Sequence, residues 1–172
     1  MDTYVDLHVK FSDFKELDIK KLENTITHNQ LIKWTELHDY LMLELFDIHL
    51  EMFQEQREAL RVPLNIAIEY KKNKIKFNTI TRDISIHGIC LPYNEEVYVG
   101  DEVDVYFYIG YKWKVVNWKK KFKLRGMVRW ARPNQQALGV EFFDMKIEDK
   151  RHIQNLIFWN LEKIIQKRKN LT

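Results

Sequence analysis

Cysteine is all but missing from this chain: Cys90 is the one thiol in 172 residues. That excludes an intrachain disulfide and a cysteine-held metal cluster. Flanked by Ile89 and Leu91, it reads as a buried and inert thiol. No apolar run approaches the roughly 18 residues needed to span a bilayer. The first residues, with Asp2 and Asp6, lack the basic and apolar regions of a signal peptide, so a cytoplasmic protein is expected. Glycine and proline are scarce, at 5 and 3 residues, and none interrupts the chain between Thr27 and Met52. No nucleophile–base pair with an orienting acid is present. His38 and His49 are not at metal-ligand spacing. Catalytic residues, a metal and a cofactor are therefore not expected. There is no internal repeat and no low-complexity segment.

What the chain does have is aromatic residues, 13% of the total, beside an ordinary 45% hydrophobic and 31% charged content. The aromatics suggest a dense core and stacking surfaces. The net charge of +3 conceals an asymmetry: residues 1–56 carry −7 and the remainder +10. An acidic appendage on a basic domain places an anionic ligand with the second part.

Val5, Leu7, Val9 and Phe11 alternate with polar residues, which predicts a short opening strand. Ser12 and Asp13 then start a helix over about 13–26. Thr27 and Gln30 have capping-box spacing, and a second helix runs from there to about Met52. Trp34, Leu37, Leu41, Leu45, Ile48 and Met52 form one stripe on it, with Leu43, Phe46, Leu50 and Phe53 beside them. So broad an apolar face either packs on the preceding helix or forms a homodimer seam through the 28–55 helix. Pro63 ends the helical stretch. Beyond it, alternating runs at 64–70, 75–82, 88–91, 103–109, 122–130 and 138–142 are separated by turn signals, with a Lys- and Trp-rich hairpin end at 111–121. Six or seven short strands at this spacing argue for an antiparallel barrel. A last helix begins near Ile147, its apolar face made by Ile153, Leu156, Ile157, Leu161, Ile164 and Ile165. The organisation is a helical extension over 1–56, a barrel over 57–145 and a C-terminal helix over 146–172.

Two clusters carry chemistry. Arg57 and Arg61 offer planar forks of donors suited to phosphate, and each can stack on a base. Taken alone they equally describe surface arginines paired with Glu55 and Glu58. Asp83 can accept from the N1–H and exocyclic amine of a guanine, Ser85 can donate or accept at short range, and Gly88 permits close backbone approach or positive φ. Taken alone, these three also describe a strand-ending turn. His87 between them reads as a turn residue.

In order and spacing, however, the two clusters resemble the PilZ domain family. The resemblance consists of RxxxR before a Val-Pro strand entry, then about 20 residues, then DxSxxG. It continues through Val103-Asp104-Val105, Met127-Val128-Arg129-Trp130 and Leu138-Gly139-Val140-Glu141-Phe142, covering about 57–144. It implies a six-stranded antiparallel β-barrel with flanking helices that binds cyclic di-GMP. By position, Arg57 and Arg61 would grip phosphates and stack on guanine. Asp83 and Ser85 would read a guanine edge, and Gly88 would shape the strand end. Trp130 falls where some members place an aromatic or apolar residue beside the ligand, although its alternation fits an inward core residue equally well. Arg82 and Arg129 are further phosphate candidates. The resemblance implies a bacterial, non-enzymatic receptor that relays ligand binding to a protein partner, in processes such as motility, biofilm formation or surface behaviour.

The competing reading is a ligand-independent module that binds protein or nucleic acid. Lys112, Lys114, Lys119, Lys120, Lys121 and Lys123 interleave with Trp113, Trp118 and Phe122, a mix that binds single strands. A solvated hairpin whose lysines protect an edge is the simpler explanation.

Overall fold

The computed structural model describes residues 3–48, 60–113 and 116–169, with side chains described for 5–48, 60–108 and 121–168. The chain divides into a helical unit, Met1–Leu60 with Phe158–Thr172, and a strand unit, Arg61–Ile157.

In the helical unit, α1 spans Thr3–Leu22 and α2 spans His28–Phe46. The strand expected at Val5–Phe11 is the first half of α1. Leu7, Phe11, Phe14 and Leu17 are buried at helical spacing, while Val5 and Val9 are each 55% exposed. The short alternation was a fragment of a longer 3.6-residue period. The capping box forms as expected: the Thr27 side chain accepts from the Gln30 N–H, and the Thr27 N–H donates to Gln30 Oε1 at 2.9 Å. The second helix ends at Phe46, earlier than the Met52 read from the stripes. Asp47 takes up left-handed backbone at φ 55°, and its N–H donates to the Leu43 carbonyl at 2.9 Å, a C-terminal cap. Leu50, Met52 and Phe53 lie outside the described residues.

The α2 stripe is used inside this unit. Trp34, Leu37, Leu41, Met42 and Leu45 are buried, and the Phe14 and Trp34 rings are 5.9 Å apart. Trp34 Nε1 donates to Asp18 at 2.9 Å, which satisfies the indole as it is covered. A third helix, α3, spans Ile147–Lys169. Its Phe158 takes the edges of Phe11 and Phe14 at 6.2 and 6.4 Å.

The strand unit holds β1 (Ala67–Lys72), β2 (Ile75–Ile80), β3 (Asp83–Ser85), β4 (Gly88–Pro92), β5 (Glu102–Trp113), β6 (Val116–Arg132) and β7 (Ala137–Phe143). They form one antiparallel sheet in the order β2-β1-β5-β6-β7-β4-β3. Seven strands lie among the described residues, within the six or seven expected from the sequence and one more than the family resemblance implied; Asp83–Ser85, for which a strand-ending turn was the alternative, is a strand of its own. Among the described residues no ladder joins β2 to β3, so the sheet is not closed into a barrel by strand pairing. The expected hairpin end at 111–121 is the continuation of β5 and β6, which pair as far as Trp113 and Val116.

Ile84, Ile89, Leu91, Val105, Phe107, Val128, Leu138 and Val140 are at most 3% exposed and form the core face. Thr81 joins the approach to β1 with the end of β2. Its Oγ1 donates to the Leu64 carbonyl at 2.5 Å and accepts from the Ile66 N–H at 2.9 Å.

Candidate functional site

Arg61 is the first residue of the strand unit. The next residue, Val62, bridges Ile84 of β3, each N–H donating to the other's carbonyl at 2.9 Å. This pairing sets Arg61 beside Asp83, and the guanidinium donates from Nη1 to Asp83 Oδ1 at 2.6 Å. Both side chains are part-buried, 30% and 27% exposed. The two sequence clusters thus meet in one charge-assisted contact. Arg57 lies outside the described residues.

Ser85 and Gly88 close the β3–β4 hairpin. The His87 N–H donates to Ser85 Oγ and Ser85 Oγ donates to the Gly88 carbonyl, both at 3.3 Å. His87 is the turn residue expected, and its carbonyl accepts from the Phe142 N–H at 2.8 Å. Gly88 serves close approach, and positive φ is not needed there. A Cβ at that position would sit 2.3 Å from the Val140 carbonyl oxygen, so only glycine lets β4 pair with β7 here.

The face on which Trp130 lies is set by a bulge. Val128 pairs with Val140, and Trp130 pairs with Gly139, so Arg129 is an extra residue in β6. Without the extra residue, Trp130 would share the core face of Val128. With it, Trp130 stands on the opposite face, in one cross-strand row with Gly139, Cys90 and Asp83. The inward alternative for Trp130 is thereby removed. Its ring lies over Gly139, where an added Cβ would be 2.2 Å from the indole Cε2. Cys90, between Gly139 and Asp83, is buried as expected. Burial pushes its thiol pKa up and the Asp83 carboxylate adds to the shift, while Arg61 and Arg82 oppose it.

The two further arginines have different settings. Arg129 donates from Nε to the Glu141 carboxylate on the exposed surface. Arg82 donates from Nη1 to the main-chain carbonyl of Gln135 at 2.9 Å. The sequence reading missed Arg132 and Gln135. Arg132 follows Trp130 by two and shares its face, with its guanidinium carbon 5.1 Å from the Trp130 ring centroid. It also donates from Nη1 to Gln135 Oε1 at 3.3 Å. Strand alternation continued past Trp130 was the signal that could have found it.

This surface therefore gathers guanidinium groups, the Asp83 and Glu141 carboxylates and a flat indole, a set that can hold an anion carrying aromatic rings. No group of His, Cys, Asp and Glu suited to a metal ion occurs among the described residues. In the hairpin that favoured nucleic acid, Lys121 is paired with Glu69 and Lys123 with Asp104. Phe122 stacks on Phe107 at 5.0 Å. The side chains of Lys112, Trp113, Lys114, Trp118, Lys119 and Lys120 lie outside the described residues.

The PilZ domain family model matches residues 55–159. Among solved structures, Escherichia coli YcgR in complex with c-di-GMP is similar at a TM-score of 0.53 and 14% identity, covering 69% of this chain and 51% of that one. The inhibitor of motility MotI/DgrA of Bacillus subtilis is similar at a TM-score of 0.45 and 13% identity, covering 67% of this chain and 53% of that one. The chain thus spans about half the length of either structure. No curated protein matches the sequence.

Proposed function

The chain belongs to the PilZ domain family, and from that membership we propose that it is a receptor for cyclic di-GMP, with Arg57, Arg61, Asp83, Ser85, Gly88 and Trp130 in the site. The observation that carries the reading is the Arg61–Asp83 contact on the same outer face as Trp130. A cyclic dinucleotide of guanosine presents phosphates, flat bases and a guanine edge with two donors. Arg61 suits a phosphate or the face of a base. Asp83 keeps one oxygen beyond the Arg61 contact to accept from a guanine edge. Trp130 suits the face of a base. That YcgR was solved with c-di-GMP supports the choice of ligand.

The protein acts as a receptor rather than an enzyme. Arg61 opens the strand unit directly after the segment that carries Arg57. Ligand contact by both arginines is the change that passes to a protein partner.

Calorimetric titration with cyclic di-GMP tests the assignment. The wild-type chain binds, and Arg61→Ala abolishes binding while circular dichroism shows the fold intact. Undiminished binding in that variant would sink the assignment. The relay is tested separately by solution scattering, and identical profiles with and without ligand remove it.

A further inference from the structure

We infer that Arg132 and Gln135, outside both signature motifs, complete the ligand site: Arg132 and Arg82 form a second cationic pole beside Trp130, and Gln135 holds the two arginines in place. The inference rests on the cyclic di-GMP reading and extends it to residues that neither motif contains.

Five arginines of the strand unit divide by what they meet. Arg61 is paired with Asp83, Arg129 with Glu141, and Arg125 with both Glu102 and Asp144. Arg82 and Arg132 differ. Among the described residues neither meets a carboxylate, and the acceptors they do meet are the neutral oxygens of one residue, Gln135. The main-chain oxygen of Gln135 takes Arg82 and its side-chain oxygen takes Arg132. Each guanidinium has five N–H donors, so most remain available to an incoming oxyanion. Two positive charges converge on one neutral residue and, among the described residues, neither is paired with a carboxylate, which favours a negative ligand.

The turn that carries Gln135 is tied through its backbone. Gln135 closes the 3-10 turn Pro133–Gln135, and proline at its start presets the backbone entry. The following residue, Gln136, ties the turn again by donating from its side chain to the Pro133 carbonyl at 2.9 Å.

Its position suits the second half of a cyclic dinucleotide. Asp83 and Trp130 are three strand spacings apart along their row, about 14 Å at the usual interstrand distance. That exceeds the reach of one base. Arg61 and Asp83 serve one end of this row, and Trp130 with Arg132 serves the other. The Arg132 guanidinium lies within cation–π range of the indole. A guanine laid on Trp130 takes the guanidinium's place against the ring. The guanidinium then closes over the outer face of the base or takes the adjacent phosphate.

The test is calorimetric titration of the full chain with cyclic di-GMP at low and moderate salt, for wild type, Arg132→Ala, Arg132→Lys, Gln135→Ala and Arg61→Ala. Arg132→Ala is expected to weaken binding at least tenfold and to make affinity less dependent on salt. Arg132→Lys is expected to recover the salt dependence but little of the affinity, because an ammonium cannot stack as a plane. Gln135→Ala is expected to weaken binding about threefold to tenfold. Thermal melts of the variants at Arg132 and Gln135, both exposed, should match wild type. If Arg132→Ala binds within twofold of wild type while Arg61→Ala does not bind, the inference is overturned and the receptor reading stands. If the wild-type chain binds no cyclic di-GMP, the receptor reading falls and takes this inference with it.

Discussion

The indole of Trp130 lies against the backbone of Gly139, where an added Cβ would be 2.3 Å from Nε1 and 2.6 Å from Cζ2. These two residues are directly paired across β6 and β7. The absence of a side chain at 139 is what lets the ring lie down along the row toward Cys90 and Asp83.

Gly139→Ala should therefore lift the ring from the sheet. The expected cost is about 1–3 kcal/mol of stability, as for other overpacked sites. A loss of cyclic di-GMP affinity should accompany it. Urea unfolding and calorimetric titration of the same variant check both, and an unchanged affinity would remove Trp130 from the site.

Gly88→Ala meets main chain rather than a movable side chain, since the new Cβ would be 2.3 Å from the Val140 carbonyl oxygen. The β4–β7 pairing has to shift to admit it. A loss of about 3 kcal/mol is expected, with hydrogen exchange accelerated first in β3 and β4.

Asp83→Asn keeps the shape of the side chain but removes the charge that meets Arg61 and turns one of the two acceptor oxygens into a donor. Losing a charge-assisted hydrogen bond costs about 2 kcal/mol, so affinity for cyclic di-GMP should fall about thirtyfold. Titration with cyclic di-AMP beside it separates the two roles. If Asp83 reads guanine, the variant's preference between the two ligands narrows.

Glu69 makes stability depend on acid. Its carboxylate is held by Lys76, Tyr108 and Lys121, and the Lys76 hydrogen bond leads in pulling its pKa from 4.5 down to about 2. A depressed carboxylate pKa stabilises the fold above the unfolded value, and that contribution is lost as pH falls from about 4.5 toward about 2. Glu69→Gln should be less stable than wild type at pH 7, and the gap should close below pH 3. Urea melts of both chains across that range measure it, and a gap that does not change with pH contradicts the assignment.

Thr81→Val should cost about 2 kcal/mol, because it leaves the buried Ile66 N–H and Leu64 carbonyl without the hydroxyl they share. Chemical denaturation gives the value directly.

Much of the architecture was legible in local chemistry. The capping box of Thr27 and Gln30, the burial of Ile153, Leu156, Ile157, Leu161 and Ile165 in α3, and most strands followed from period and turn residues. Errors came where a short pattern fitted two periods or where a boundary depended on one backbone angle. Val5 to Phe11 alternated over too few residues to separate strand from helix. The end of α2 turned on Asp47 entering left-handed backbone, which no composition signal announced. Asp83–Ser85 was too short to show an alternation, and only its pairing with Gly88–Cys90 makes it a strand.

The candidate site divides along the same line. The resemblance to the PilZ family marked Arg57, Arg61, Asp83, Ser85 and Gly88, whereas their residue types alone left surface ion pairs and a strand-ending turn open. Tertiary structure decided the rest. It joined Arg61 to Asp83 through the Val62–Ile84 bridge, and it gave Gly88 a packing role rather than a conformational one. One extra residue at Arg129 moved Trp130 from the core face to the outer face that carries Asp83. A bulge is a property of two paired strands, since it is counted against a partner residue. A sequence read along one strand contains no partner, so the face of Trp130, and with it Arg132, was decided only when β7 lay beside β6.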